Sequence, residues 1–224
     1  MDGKQRATRE PEKQYRRCMI LDTTAQLLDE RAYTAITMAE VADRAGLAKG
    51  TVYLYFPTKE ALFLALQERM LAAWFADLDA ALAQLGPASA AAVAETICRS
   101  LAPRPHLTRL LAILHSVLEQ NIDYETAVGF KQMLLAHMQR TGALLEHCLL
   151  FLRPGQGALV LLRAHALVIG LQHVSDPPPL VRQVLEQPEL QVFHIDFAAE
   201  LSATLRALLR GMECAPGDDV APQS

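Results

Sequence analysis

Apolar residues recur along almost the whole chain at steps of three and four residues, which is the spacing of one face of an α-helix. The longest stripe predicts a helix from Thr58 to about Leu85, which Gly86 and Pro87 would end. Its apolar positions are Leu62, Phe63, Leu66, Met70, Trp74, Leu78 and Leu82. No stretch alternates as a strand does and no repeat is present, so the pattern predicts an all-α fold.

The same spacing predicts one helix before this one, from Glu12 to Arg31, and several after it. The later helices are predicted over Ala88–Leu101, His106–Gln120, Tyr124–Leu152, Gln156–Val174, Leu180–Gln187 and Phe193–Met212. Gln156–Val174 is apolar nearly all round, and such a helix has to be buried on every side. A small monomer does not easily achieve that burial. This helix therefore favours a subunit interface.

Residues 37–59 predict two short helices joined by a tight turn. Thr37 has the type and position of an N-cap, and Gly46 stands where a helix end needs left-handed backbone. Val52 and Phe56 share the face of the second helix that can pack on the first. The opposite face is left with Lys49, Thr51, Tyr53 and Tyr55. Two helices with a glycine turn and a polar, aromatic outer face are typical of a helix-turn-helix, which binds DNA.

These residues resemble the DNA-binding domain of the tetracycline-repressor (TetR) family of bacterial transcriptional regulators. The resemblance covers residues 17–66 and rests on the motifs T-x-x-E-V-A, A-G-L, K-G-T-x-Y-x-Y-F and K-E-x-L, which stand in register. It implies an N-terminal three-helix helix-turn-helix domain and a C-terminal helical domain for ligand binding and dimerisation. It also implies phosphate contacts from Thr37, Lys49, Thr51, Tyr55 and Lys59, and an approach to base edges by Gly50, Tyr53 and Leu54.

Two departures from the family's pattern and one lysine refine that expectation. Ala48 stands where the family often has serine, so the second helix of the motif, which is the recognition helix, lacks a side-chain N-cap. Leu54 stands where a polar residue is common, which favours an apolar contact such as a thymine methyl group. Lys59 falls in the first turn of the next helix, where a cation is unfavourable, and this indicates an external anion such as DNA phosphate.

Charge and cysteine content refine the picture only in part. The formal net charge is −4, yet residues 1–17 hold six Lys and Arg against three Asp and Glu. We expect a disordered basic arm at residues 1–11, the helix-turn-helix domain at 12–60, the effector-binding and dimerisation domain at 61–212, and a disordered tail at 213–224. The four cysteines are scattered and no signal peptide is evident, which favours reduced thiols in the cytoplasm. No apolar run free of charge reaches a membrane span of about 20 residues, so no membrane partner is expected.

An effector pocket would need apolar walls and a few polar groups. The candidate lining residues are Trp74, His115, Glu119, Phe130, Met133 and His137. The seven histidines show no metal-ligand spacing, and no nucleophile stands beside a base. No metal, cofactor or catalytic residue is therefore expected.

The sequence favours a homodimeric, ligand-responsive repressor that binds a palindromic operator in double-stranded DNA and is released by a small apolar effector. Two alternatives remain at this point. One is a helical enzyme or small-molecule carrier, for which the pair His115 and Glu119 on one helix face is the hint. The other is a DNA-binding dimer without an effector, in which side chains fill the cavity.

Overall fold

The hydrophobic stripes form helices throughout, as the all-α prediction required. The computed structural model describes residues 2–214, with side chains for residues 11–114 and 116–214, and no strand occurs in that range. The α-helices are α1 Asp2–Glu30, α2 Met38–Arg44, α3 Lys49–Tyr55, α4 Lys59–Leu85, α5 Ala90–Leu101, α6 Pro105–Ile113, α7 Tyr124–Cys148, α8 Gln156–Ser175, α9 Pro179–Val184 and α10 Phe197–Cys214. Short 3₁₀ turns lie at Tyr33–Ala35 and Pro188–Phe193, and a π turn at Leu114–Leu118.

The contacts divide the chain into two compact units. The first unit combines the chain up to Met70 with Ile113–Phe130, and the second combines Leu71–Ala112 with the chain from Lys131 onward. Helices α4 and α7 each contribute residues to both units. The division on α4 lies after Met70, about ten residues beyond the domain boundary that the sequence predicted at residue 60.

The first unit is built around the first half of α4. Six consecutive residues of this helix, from Leu62 to Gln67, are buried, so α4 is enclosed on all sides at this level. Ile20 of α1, Val41 of α2 and Val52 of α3 are fully buried in the same unit. The predicted stripe on α4 holds except at Met70, which is partly exposed, while Leu71 is buried in its place.

The second unit packs α10 against both α5 and α8. Leu201, Leu205 and Leu209 of α10 are buried. The apolar stripe of α10 therefore packs within the chain; that α10 also pairs with its copy in a dimer is what the TetR resemblance implies, and it stays a prediction.

Helix α8 leaves an apolar face exposed. Leu159, Leu162 and Val174 are 37%, 53% and 47% exposed. By length and composition alone α8 is the one helix in the described range that is suited to cross a membrane, and 28% of it is buried within the chain. Core helices meet the same criterion, and Arg163 lies exposed near the middle of α8.

Several predicted helix ends differ from the structure. Helix α1 begins at Asp2 rather than Glu12, because a helix of polar residues leaves no apolar stripe by which a pattern can detect it. Helix α7 ends at Cys148 rather than Leu152, and the last helix begins at Phe197 rather than Phe193. Residues 215–224 of the predicted tail lie outside the described range.

Candidate DNA interface

The turn between α2 and α3 is fixed by local backbone chemistry. Thr37 is the N-cap of α2, and its hydroxyl oxygen accepts from the amide of Glu40 at 3.2 Å. At the other end Gly46 has φ +66°, which a residue with a Cβ adopts only at a cost. The amide of Leu47 donates to the carbonyl of Ala42 at 2.9 Å, which closes a Schellman turn. The direction in which α3 leaves the turn is therefore fixed.

Ion pairs connect α2 to the C-terminal part of α1. Arg44 donates to both carboxylate oxygens of Glu30, at 2.7 and 3.0 Å, and holds the pKa of Glu30 below its ordinary value. Glu40 accepts from Arg31, which directly follows α1. Because both arginines already have carboxylate partners, they are engaged in the domain rather than free for phosphate.

Helix α3 separates a buried side from an outer side as predicted. Val52 is fully buried, and Phe56, the C-cap residue of α3, is 3% exposed. On the outer side Tyr53 is 41% exposed and Leu54 is 84% exposed. The ammonium of Lys49 lies 5.9 Å from the centroid of the Tyr53 ring. Lys49 and Gly50 are exposed, and Thr51 and Tyr55 are partly exposed.

The recognition helix begins without a side-chain cap, as predicted. Ala48 is its N-cap residue and makes no side-chain hydrogen bond to the first turn. The amide of Thr51 donates to the carbonyl of Ala48 at 2.8 Å, so the first turn is closed by the backbone alone.

The sequence suggested that the Lys59 ammonium is free to meet an external anion, but in the structure Tyr33 holds it. Its ammonium donates to the carbonyl of Tyr33 at 2.5 Å and lies 4.1 Å from the Tyr33 ring centroid. Burial lowers the pKa of Lys59, and the Glu60 carboxylate raises it by less. Burial, with a smaller contribution from Glu60, raises the pKa of Tyr33 to about 12. Lys59 thus anchors the start of α4, which Thr58 caps by accepting from the amide of Ala61 at 3.0 Å.

Comparison with known proteins decides what this arrangement belongs to. A family model described as Bacterial regulatory proteins, tetR family, matches residues 20–66. A second, described as Tetracyclin repressor-like, C-terminal domain, matches residues 68–216. The chain belongs to the TetR family. It is a helix-turn-helix transcriptional regulator that binds DNA, and membership of this family rules against the enzyme alternative.

Relatives of the TetR-family chain share short segments with it. The HTH-type transcriptional regulator EthR of Mycobacterium tuberculosis is 38% identical over 66 residues, which are 30% of this chain and 31% of EthR. The HTH-type transcriptional repressor KstR of the same species is 50% identical over 44 residues, 20% of each chain. The aligned segments thus span about a third or less of these relatives.

Solved structures show that the TetR fold extends over most of the chain. The fatty acid degradation regulator FadR from Bacillus halodurans has 17% identity and a TM-score of 0.55, covering 88% of this chain and 95% of FadR. The TetR family repressor AlkX from a Dietzia strain, implicated in biodegradation of n-alkanes, has 18% identity and the same TM-score and coverage. At these identities the likeness shows the fold alone.

Three of the residues predicted to line an effector pocket lie in the second unit of the TetR-family chain. Trp74 is buried, and its Nε1 donates to the hydroxyl of Ser100 at 2.8 Å. The Trp74 ring lies 4.6 Å from Phe75, and His137 stacks on Phe75 at 4.9 Å with 5° between the planes. The structure thus brings Trp74 and His137 to one phenyl ring, while Met133 is partly exposed on the same helix as His137.

The other three predicted pocket residues lie in the first unit. Phe130 is 1% exposed, and Glu119 is partly exposed directly after the π turn at Leu114–Leu118. The side chain of His115 lies outside the described residues. A polar pair of His115 with Glu119 therefore stays a prediction.

Gln67, for which the sequence pattern predicted no role, is a buried polar residue of the first unit. Gln67 is 0% exposed, and within the described part of the chain neither its Nε2 nor its Oε1 has a hydrogen-bond partner. Each buried donor or acceptor left without a partner costs about 1–3 kcal/mol. The available signal was a glutamine directly after the apolar run from Ala61 to Leu66.

A cleft of about 440 Å³ opens in the second unit, where the sequence predicted no site. Residues from α5, α6, the end of α8 and the start of α10 line it, so it depends on segments that are far apart in sequence. Arg109 and Asp176 form an ion pair at its edge, with 3.5 Å between Nε and Oδ2. The thiol of Cys98 is half-buried in its wall, and burial raises the pKa of that thiol.

Proposed function

We propose that this TetR-family regulator is a homodimeric repressor of the cytoplasm, which binds a palindromic operator in double-stranded DNA and is released by a small apolar effector. The observation that carries the proposal is the outer face of α3. Tyr53 and Leu54 are exposed on this face, and the ammonium of Lys49 lies beside the Tyr53 ring. A single helix with such a face fits the major groove, which is about 12 Å wide.

The individual residues take complementary roles in this proposal. Tyr53, Leu54 and Gly50 approach base edges, with Leu54 suited to the methyl group of thymine. Backbone phosphates are contacted by Thr37, Lys49, Thr51, Tyr55 and Lys59. The Lys59 ammonium adds positive charge from its anchored position on Tyr33. Such phosphate contacts give an affinity that falls as salt rises.

The exposed apolar face of α8 supports the homodimer. Leu159, Leu162 and Val174 are exposed apolar side chains of this helix, and burying them removes their apolar surface from water. Two copies of this face, related by a two-fold axis, bury it, with α10 packed alongside α8 in each chain. A symmetric dimer presents two copies of α3, which requires an operator of two symmetric half-sites.

Release by an effector is supported by the helices that both units share. Helix α4 is continuous from the first unit into the second, and so is α7. A ligand that binds one arrangement of these helices more tightly shifts the population toward it, by no more than its difference in affinity. KstR carries the name of a repressor, and the names of FadR and AlkX connect them with fatty acids and n-alkanes. Those names fit an apolar effector.

Selection of bound duplexes from a random DNA pool tests the proposal, with the protein at low and at moderate salt. Wild-type protein should enrich a palindrome, and Tyr53→Ala should lose that enrichment while its oligomeric state stays unchanged. Tyr124→Ala, which removes a tyrosine 79% exposed at the start of α7, is the matched control and should enrich the same sequence. Equal enrichment by Tyr53→Ala and the control would show that α3 does not read the operator.

A further inference from the structure

The segment between α8 and α10, residues 177–196, carries apolar side chains that its own unit leaves uncovered. This segment, the arm, contains no buried residue. Its exposed large apolar side chains are Leu180, Val181, Val184, Val192 and Phe193, which are 73%, 44%, 42%, 80% and 57% exposed. Single exposed apolar side chains are ordinary, but a concentration of five in so short a segment marks an interaction surface.

The arm has regular structure without a core of its own to support it. Helix α9 has six residues, and neither it nor the 3₁₀ turn at Pro188–Phe193 contains a buried residue. Helices shorter than about 12–15 residues are marginal in water, so α9 depends on packing against another surface. The polar contacts of the arm fix its shape, since Arg182 donates to Oδ1 of Asp176 at 3.0 Å and Nε2 of His194 lies 2.8 Å from the carbonyl oxygen of Leu185. These contacts leave the apolar side chains uncovered.

Composition limits what can cover the arm. Residues 1–10 and 215–224 contain one large apolar residue each, Met1 and Val220, so neither end of the chain can cover five apolar side chains. The charged residues of the arm, with histidine neutral, are one arginine against three carboxylates, Arg182 against Glu186, Glu189 and Asp196. Because this balance is acidic, an anionic membrane surface would repel the arm.

The area that a stable dimer needs favours a second copy of the chain as the occupant. A specific dimer buries about 800 Å² on each partner, from about 20–30 residues a side. Helix α8 offers three exposed large apolar side chains, and the arm begins three residues after the last of them, Val174. Together α8 and the arm hold eight of the fourteen large apolar side chains that are exposed in the described range. The arm therefore adds apolar area directly beside the interface proposed for α8.

We propose that the arm packs on the partner subunit of the homodimer, as an extension of the α8 interface, and that Leu180, Val192 and Phe193 anchor it there. This inference rests on the proposed function, because it needs the homodimer. The three anchors are the most exposed apolar side chains of the arm and gain most from burial. In a two-fold dimer each arm covers the same site on the other chain, so a single substitution removes two sets of contacts.

Sedimentation equilibrium of the purified full chain, without DNA, measures the dissociation constant of the dimer and tests the role of the arm. The arm variants are Leu180→Ser and Phe193→Ser. The matched control is Leu135→Ser, which changes a leucine of α7 that is 54% exposed, against 57% for Phe193. Each arm variant should weaken the dimer by at least about tenfold, because buried apolar anchors contribute most of the free energy of association. The control should keep the wild-type dissociation constant.

Photochemical crosslinking locates the arm without relying on a loss of affinity. Full-length protein with benzoylphenylalanine in place of Phe193 should give a covalent dimer on illumination, because position 193 would face the partner. Crosslinks confined to single chains would overturn the proposal.

The remaining outcomes separate this proposal from the proposed function. A wild-type dimer whose dissociation constant is unchanged in both arm variants would overturn the arm's role alone and assign its surface to a different protein. Flotation with vesicles of phosphatidylcholine and phosphatidylserine should leave the protein unbound, and binding that Phe193→Ser abolishes would overturn the proposal in favour of a membrane. A monomeric wild type would overturn the homodimer and the arm's role together. Failure of duplex selection would count against the proposed function alone, because these measurements contain no DNA.

Discussion

His137 is held by a ring contact in surroundings that disfavour its charged form. It stacks on Phe75 at 4.9 Å, and its Nδ1 lies 3.2 Å from Nη2 of Arg140. Burial is the main cause that lowers the pKa of His137, Arg140 lowers it further, and Asp79 opposes both. The folded state therefore favours the neutral imidazole, which is the form that can accept from the guanidinium.

The pKa of His137 predicts a dependence of stability on pH. Above the ordinary histidine pKa of 6.5 both states are neutral and the full stability is present. As the pH falls below 6.5 the unfolded chain binds a proton first, so the free energy of unfolding decreases. His137→Phe keeps a ring on Phe75 and should show a smaller decrease between about pH 7 and about pH 5 in urea titrations. Gln139→Phe, a control at an exposed position two residues further along α7, should keep the wild-type slope. Equal slopes in all three proteins would contradict this account.

Residue roles that depend on local spacing could be predicted from the sequence, and those that depend on distant neighbours could not. Thr37 forms the N-cap that its type and position predict, and the Thr58 hydroxyl caps α4 in the same way, three residues before the amide it accepts from. The anchoring of Lys59 on Tyr33 joins residues 26 positions apart. The lack of a partner for Gln67 depends on everything packed around α4, which no local pattern contains.

At the scale of elements, α7 and α8 come together without side chains between them. A Cβ built on Gly157 would lie 2.0 Å from the carbonyl oxygen of Gly142. Glu146 of α7 accepts from the amides of Gly155 and Gly157, at 2.8 and 2.9 Å, and so caps the start of α8. The approach of the two backbones sets where α8, and with it the apolar face, lies in the second unit.

Gly157→Ala should therefore be strongly destabilising. The added methyl group meets backbone that cannot move without separating the helices, and overpacking of this kind costs about 1–3 kcal/mol. Gly129→Ala, at a helical glycine of α7 with no atom within 4 Å of its added Cβ, should instead stabilise by about 0.5–1 kcal/mol. Urea unfolding measures both. A neutral Gly157→Ala would mean that α7 and α8 do not approach as closely as described.

Element type was easier to predict than element ends. Periodicity identified α4, α5 and α7 because each buries one face, whereas α8 was identified by a run of apolar residues on all sides. It predicted one continuous helix over His106–Gln120, where α6 gives way at Ile113 to the π turn. A π turn shifts one hydrogen bond without changing the spacing of apolar residues enough for a pattern to show it.

At the scale of the whole molecule, the exposed face of α8 predicts how the chain associates. Leu162→Glu replaces an exposed apolar side chain of the proposed interface with a charge that has to be desolvated on association, and should convert a dimer into a monomer. Leu135→Glu changes a leucine of similar exposure on α7, 54% against 53%, and should leave the dimer intact. Light scattering during size-exclusion chromatography reports the mass of each. If both variants remain dimeric, α8 is not the interface.

The central claim is that two copies of α3 read two half-sites at a fixed separation. The direct test is the affinity for the selected palindrome, for a version with one half-site scrambled, and for a version with about five base pairs inserted at its centre, roughly half a helical turn. The account predicts that scrambling one half-site and inserting about five base pairs each weaken binding by at least about a hundredfold. An insertion of about ten base pairs would move the half-sites apart while leaving both on the same face of the DNA helix. Affinity that is the same for the intact and the scrambled duplex would contradict it, because one recognition helix would then suffice.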